Sequence, residues 1–321
     1  MKNHRARLWC RYLLFLMWAT ASTAQAQVSV RDDVGALVEL RAPAQRIVSL
    51  APNITELLYA AGAGGRIVGA VEYSDYPQAA KRIPRVGSGA GLDLEAIVVR
   101  RPDLVVAWQT GNPSWQLEKL RGLGFTVFVT EPRRVEDIAG LLERFGKLAG
   151  TKLSAHAAAA KYRRHLAQLR ARYSGRATVP VFYQILDASP LTVGGRHLIS
   201  DLIRLCGGEN VFADLPGITP RVDVESVLQR NPEAILASGD QRLWSEWRDR
   251  WHAWPGLAAV THDNLFFVPP DLIERSSPRI LQGAEEVCRD LEQARTRQKP
   301  RAGVSDFSPV ATGRRRDSSA H

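Results

Sequence analysis

Cysteine is scarce: the chain has three in 321 residues, Cys10, Cys206 and Cys288. No histidine or carboxylate cluster stands beside any of them, so neither a zinc site nor thiol catalysis is indicated. Other catalytic signatures are also missing. There is no Gly-Lys-Ser/Thr phosphate loop, no nucleophile elbow and no His-Glu-x-x-His, and Gly87-Ser88-Gly89-Ala90-Gly91 lacks dinucleotide spacing. His156 and His165 stand nine apart on one predicted helix, not on one face, and read as solvated residues. Net charge is lacking too, once the ends are set aside. The formal charge is +10, but Lys2, Arg5, Arg7 and Arg11 supply four of it. From Arg295 onward, seven basic residues against Asp306 and Asp317 supply five more, leaving about +1 for the body. A body so nearly neutral argues against nucleic acid as a partner.

The chain also has no apolar run near the roughly 20 residues that span a bilayer. Its most apolar stretch, Tyr12 to Ala19, follows a basic segment and precedes Ala24-Gln25-Ala26, a small-x-small cleavage site. Residues 1–26 therefore read as a signal peptide, cleaved near Ala26, on an exported, soluble, periplasmic protein. No cysteine follows the cleavage site to carry a lipid. In an oxidising compartment Cys206 and Cys288 either pair or remain two separate buried thiols. The Arg-, Ser- and Pro-rich residues 295–321 read as a disordered basic tail with little to bury.

A segment of about fifteen residues occurs twice, 130 positions apart. Asp93-Leu94-Glu95 runs through Pro102-Asp103 into Leu104–Ala107, and Asp223-Val224-Glu225 runs through Pro232-Glu233 into Ala234–Ala237. So long an offset points to duplicated α/β lobes, each repeat being a short helix that feeds a buried strand. Strands are predicted at Arg46–Leu50, Arg66–Val71, Leu104–Trp108 and Thr126–Val129, then at Val179–Leu186, Ala234–Ala237 and Leu265–Val268. Asn53 is predicted to cap the first helix with Glu56 as its reciprocal partner. An unbroken helix from Lys152 to about Tyr173 reads as a stiff connector of roughly 33 Å. The expected fold class is α/β, with two lobes carrying parallel sheets joined by one long helix. The divisions are 27–150 for the N-terminal lobe, 151–176 for the connector and 177–294 for the C-terminal lobe. Trp244, Trp247, Trp251 and Trp254 share a helix face, which reads as packing on the sheet in preference to a ligand shelf.

Open α/β sheets bind ligands beyond the carboxyl ends of their strands. The loops there bring Pro52-Asn53, Tyr73 to Tyr76 and Trp108 to Asn112 from the first lobe. The second brings Gln184 to Pro190, Gly194-Gly195 and Asp271 to Arg275. Aromatic faces with a few polar groups suit a large ligand, part flat and part polar. A binding protein is favoured; a secreted two-lobe enzyme using a cleft aspartate is the alternative from another class.

Several of these segments resemble the periplasmic cobalamin-binding proteins of ABC importers, within the group that also carries haem and ferric siderophores. They are Arg46 to Pro52 with Thr55-Glu56-Leu57, Tyr73 to Pro77, Pro102 to Trp108, Cys206 to Asn210, and Glu274-Arg275 with Ser277-Pro278-Arg279. The resemblance implies Rossmann-like lobes on one backbone helix, a Cys206–Cys288 disulfide, and no enzymatic activity, cofactor or metal. It implies a monomer that binds cobalamin or a related corrinoid, with haem or a ferric siderophore as the alternative. Pro52, Asn53, Tyr73, Trp108, Asn112, Asp271 and Arg275 would face the ligand. Glu95 and Glu225, one per lobe, would dock on an inner-membrane ABC permease dimer. Gly89, Thr219 and Leu272 depart from the pattern, standing where cobalamin binders carry tryptophan.

Overall fold

A computed structural model describes residues 27–88, 91–186 and 191–298. Residues 1–26, expected to be a signal peptide, and residues 89–90, 187–190 and 299–321, which include Gly89 and most of the expected tail, lie outside the described residues.

The chain opens with an antiparallel hairpin of β1 (Val28–Arg31) and β2 (Leu37–Leu40). Alternation sets its inner face, with Val28, Val30, Val38 and Leu40 all buried. Asp32 closes the turn by accepting from the amides of Val34 (3.1 Å) and Ala36 (2.8 Å).

The N-terminal lobe follows as β3 (Ile47–Ser49), α1 (Pro52–Ala60), β4 (Ile67–Ala70), the short pair β5 (Gly87–Ser88) and β6 (Gly91–Leu92), α2 (Leu94–Val99), β7 (Leu104–Trp108), α3 (Ser114–Gly122) and β8 (Val127–Thr130). Its sheet is fully parallel in the order β4-β3-β7-β8. Helices cover both faces, so the strands read as unbroken apolar runs, and β7 is buried from Leu104 to Ala107. Next come α4 (Asp137–Leu148) and the connector α5 (Lys152–Tyr173).

The C-terminal lobe contains β9 (Val179–Leu186), α6 (Leu198–Leu205), β10 (Gly208–Asn210), α7 (Val224–Arg230), β11 (Ala234–Gly239), α8 (Trp244–His252), α9 (Ala258–Thr261), β12 (Leu265–Phe267), α10 (Pro270–Ile273) and α11 (Ile280–Gln298). Its sheet repeats the first, parallel in the order β10-β9-β11-β12. The expected α/β fold with two parallel sheets is what the chain adopts.

The connector explains how the lobes are held. Ala155, Ala159, Tyr162, Leu166, Leu169 and Tyr173 form one buried stripe with alternating four- and three-residue steps. Gly146 of α4 lets the helices close, since a Cβ there would stand 2.2 Å from that of Ala155. The Tyr162 hydroxyl donates to the carbonyl of Val135 at 2.7 Å. The main core is continuous from Val28 in the first lobe, through this stripe, to Ala294 in the last helix. Sliding one lobe past the other would open that seam, so large closure is disfavoured.

Four local expectations are corrected. Ala51 is the N-cap of α1 with no side-chain cap, and Pro52 occupies the first turn, so Asn53 and Glu56 form no capping box. Gln184, placed by its strand end among the cleft loops, is buried, and its Oε1 accepts from the indoles of Trp247 (2.7 Å) and Trp251 (3.1 Å). Trp254 lies past the end of α8 and is exposed, while Trp244 stacks on Trp247 at 4.8 Å and both pack on the sheet. Arg295 is no tail residue: α11 continues to Gln298, and buried Arg295 donates to the carbonyls of Ala177, Cys206 and Gly207.

Candidate functional site

A cavity of about 190 Å³ opens between the lobes at the carboxyl ends of their strands. The N-terminal lobe supplies Trp108, Thr110, Glu131, Pro132 and Arg133. Across from them stand Ile185, His197 with its neighbours in the α6 turn, Ile218-Thr219, and the loop residues Ile273, Glu274 and Ser276.

Trp108 ends β7, and a small turn is built around its ring. Asn112 Oδ1 accepts from the Trp108 amide at 2.8 Å, and the Asn112 amide donates to the Trp108 carbonyl at 2.9 Å. The Asn112 Nδ2 donates to the carbonyl of Leu50 at 3.0 Å. Asn112 is buried with its side-chain amide spent at both ends, so it positions Trp108 and has little left for a ligand. Gly111 is required here, because a Cβ would lie 2.0 Å from the indole.

The polar groups of the cavity carry both signs of charge. Glu131 accepts from the amide and hydroxyl of Thr110, both at 3.1 Å, and burial raises its pKa against those bonds. Burial also raises Glu274, with Asp271 adding to the effect. Arg133 and Arg196 are exposed and make no ion pair among the described residues. His197 caps α6, its Nδ1 accepting from the Ile199 amide at 3.1 Å. Burial and then the Arg133 charge push its pKa down to about 4, as an acceptor nitrogen requires. Glu274 lies in a loop that the sequence already placed at the cleft; Glu131, Arg133, Arg196 and His197 carried no signal beyond their positions near strand ends.

The expected ligand residues divide. Trp108 is in the cavity wall. Tyr73 is 75% exposed on a left-handed turn residue (φ 62°) and lies outside this cavity. Pro52 starts α1, and Asn53 is buried with its Nδ2 unpartnered among the described residues. Arg275 is engaged by carboxylates: Asp75 (2.7 Å) and Glu56 (3.0 Å) from the other lobe, and Asp271 (2.7 Å) from its own. Arg279, which sequence reasoning left without a role, binds Glu56 as well, through Nε (2.9 Å) and Nη2 (2.8 Å). Arg275 thus ties the lobes together and offers no free charge to a ligand. Thr219 lines the cavity, where it leaves open space in place of an aromatic ring.

Glu95 and Glu225 stand at matched places on α2 and α7. Each follows an N-cap aspartate, Asp93 accepting from Ala96 N at 2.9 Å and Asp223 from Ser226 N at 2.8 Å. Both glutamates are exposed, and neither has a hydrogen bond or ion pair among the described residues. In the C-terminal lobe, Cys206 and Cys288 are joined by a disulfide (Cα–Cα 4.6 Å). Among the described residues, no cluster of His, Cys, Asp and Glu could hold a metal ion, and no helix is long and apolar enough to cross a membrane.

Comparison with known proteins agrees with this architecture. The family described as periplasmic binding protein matches residues 47–272. The vitamin B12-binding protein of Vibrio parahaemolyticus is 35% identical over 257 residues, covering 79% of this chain and 91% of that protein. The crystal structure of the periplasmic vitamin B12 binding protein of Vibrio cholerae superposes with a TM-score of 0.73 at 36% identity, covering 79% of this chain and 98% of that one. A periplasmic heme-binding protein from Roseiflexus shares the fold, with a TM-score of 0.68 at 24% identity over 78% of this chain and 98% of that one. With more than half of its length matched and relatives above 30% identity covering most of it, the chain belongs to the periplasmic binding protein family.

Proposed function

We propose that the protein is an exported, monomeric periplasmic carrier that captures cobalamin or a related corrinoid in the interlobe cleft and delivers it to an inner-membrane ABC permease. The observation that carries this reading is the 35% identity across 91% of a vitamin B12-binding protein. The cleft supports it. Trp108 offers a flat face, and Glu131, Glu274, Arg133 and Arg196 give the rim acceptors and donors of both charges. A corrin ring edged with neutral amides suits a rim that mixes acceptors and donors; haem or a ferric siderophore, whose anionic groups would draw on Arg133 and Arg196, is the competing reading. The exposed, unpaired Glu95 and Glu225 would meet basic residues on a two-fold permease, orienting the encounter more than tightening it.

Parallel titration of the purified protein with cyanocobalamin, haem and ferric siderophores, followed by absorbance, tests the ligand. Saturable one-to-one corrinoid binding is expected. Trp108→Ala should weaken it by about 1–3 kcal/mol, and Tyr73→Ala by less, since that ring is largely exposed. Binding of an iron chelate alone would mean that the departures from the pattern at Thr219 and Leu272 had changed the ligand while leaving the family role intact.

A further inference from the structure

Glu56 has an unusual set of partners. Its side chain is only 2% exposed, and α1 carries it in the N-terminal lobe. Among the described residues, all four of its side-chain hydrogen bonds come from the other lobe: Arg275 Nη1 (3.0 Å), Ser277 Oγ (2.6 Å), Arg279 Nε (2.9 Å) and Arg279 Nη2 (2.8 Å). A buried carboxylate that only stabilised its own lobe would find donors there. The N-terminal lobe strengthens the same grip elsewhere, with Asp75 2.7 Å from Arg275 and the Tyr76 ring 4.1 Å from the Arg279 guanidinium.

The gripped loop is also a wall of the cleft. Ile273, Glu274 and Ser276 line the ligand cavity, while Pro278 and Arg279 line a second cavity of about 480 Å³ on its other side. That second space is bounded by Tyr59 and Leu142 of the first lobe, Ala158 and Tyr162 of the connector, and Leu281 of the second lobe. Rotating the lobes about the connector would change this empty volume before compressing packed side chains. It would also separate Glu56 from every one of its donors. Breaking the contact strips the Glu56 carboxylate of all its donors at once and takes Arg279 from its carboxylate, while Arg275 keeps Asp271, so the cost falls mainly on Glu56.

We infer that Glu56 is a positioning residue, a latch that sets the opening between the lobes and thereby the grip of the cleft. Arg275, Ser277 and Arg279 are its catch. For the ligand-binding part, this rests on the corrinoid reading above. The latch holds the loop 273–276 against the ligand, and the permease would have to break it to release the cargo.

The test places spin labels at Leu123→Cys and Trp254→Cys, exposed positions one in each lobe (52% and 42%), and measures the distance distribution without ligand. Cys206 and Cys288 are disulfide-bonded and take no label, and the labelled protein begins at Gln27, without Cys10. Glu56→Gln, which keeps the shape and removes the charge, should broaden and lengthen the distribution. It should also raise the cyanocobalamin dissociation rate about tenfold. An unchanged distribution and off-rate, even with a lowered melting temperature, would overturn the latch and leave Glu56 a purely stabilising buried acid. Should Glu56→Gln fail to fold, Arg279→Gln is read the same way, with a smaller expected change because Arg275 keeps its bond. If the unmodified protein binds no cyanocobalamin, the corrinoid reading falls while the distance measurement still decides the latch.

Discussion

Arg101 and Asn231 stand 130 positions apart, one in each lobe. Each adopts a left-handed conformation (φ 46° and 43°) directly before a proline, at the exit of a helix capped by aspartate. The next residue after each proline donates its amide to the entry of the lobe's first strand, Asp103 to Arg46 O at 3.0 Å and Glu233 to Pro180 O at 2.9 Å. The two sheets then share a strand order. The lobes differ in what fastens them. The N-terminal lobe is extended by a hairpin, held through Asp33 to Arg144 (2.6 Å) and to the Glu131 amide (2.6 Å). The C-terminal lobe is stapled by a disulfide and filled by a tryptophan helix. One plan therefore serves two tasks: the repeated surface keeps matched glutamates, while the fastening of each lobe is free to differ.

The strongest way to break that pairing is at the repeated surface. Glu95→Arg combined with Glu225→Arg should abolish uptake of corrinoid into cells while leaving affinity in calorimetry unchanged. The single variants should each lose part of the activity, and by similar amounts if the docking surface is pseudo-symmetric. Uptake that survives the double change would reduce both residues to first-turn carboxylates favoured by the helix dipole.

A smaller effect should fall on one lobe alone. Replacing Cys206 and Cys288 by serine removes a staple across a sequence separation of 82, worth about 2–5 kcal/mol. Amide exchange should then show lost protection in β9 to β12 and retained protection in β3, β4, β7 and β8. Equal loss in both would mean that the continuous core through the connector welds the lobes into one cooperative unit.

The halves of this comparison were not equally legible in the sequence. Strands, connector and duplication showed because apolar runs and helical periods are local signals. The hairpin has a local signal too, in the alternating Val28-Ser29-Val30 and Leu37-Val38-Glu39-Leu40 flanking Asp32-Asp33-Val34-Gly35. In the site, Trp108 could be read from its strand end. The partners of Glu56 could not, because they lie 219 to 223 residues away and no spacing rule reaches that far. The same holds for Arg275: its cation is visible in the sequence, but its carboxylate partners Glu56 and Asp75 in the other lobe are not.

The smallest predicted effect separates the lobes by pH. The helix after the first strand of each lobe begins differently. In α1 Pro52 opens the helix behind Ala51, and nothing there titrates; in α6 the cap is a histidine nitrogen that must stay unprotonated to accept from Ile199. His197 is held down to about 4 from its ordinary 6.5 by burial and by Arg133. Between those values the unfolded chain binds a proton that the folded chain refuses, so stability falls as pH drops from about 6.5 to about 4, by roughly 1–3 kcal/mol. Asp290, pushed up to about 7 by burial and Glu286, acts in the opposite sense, costing stability as pH rises toward 7. The two are separated by His197→Asn, which keeps an acceptor at the cap and removes the titration. The difference in denaturant midpoint between this variant and the unmodified protein should grow in the variant's favour from pH 6.5 to pH 4. A difference that stays constant with pH would show that the cap is lost in the unmodified protein before acid reaches it.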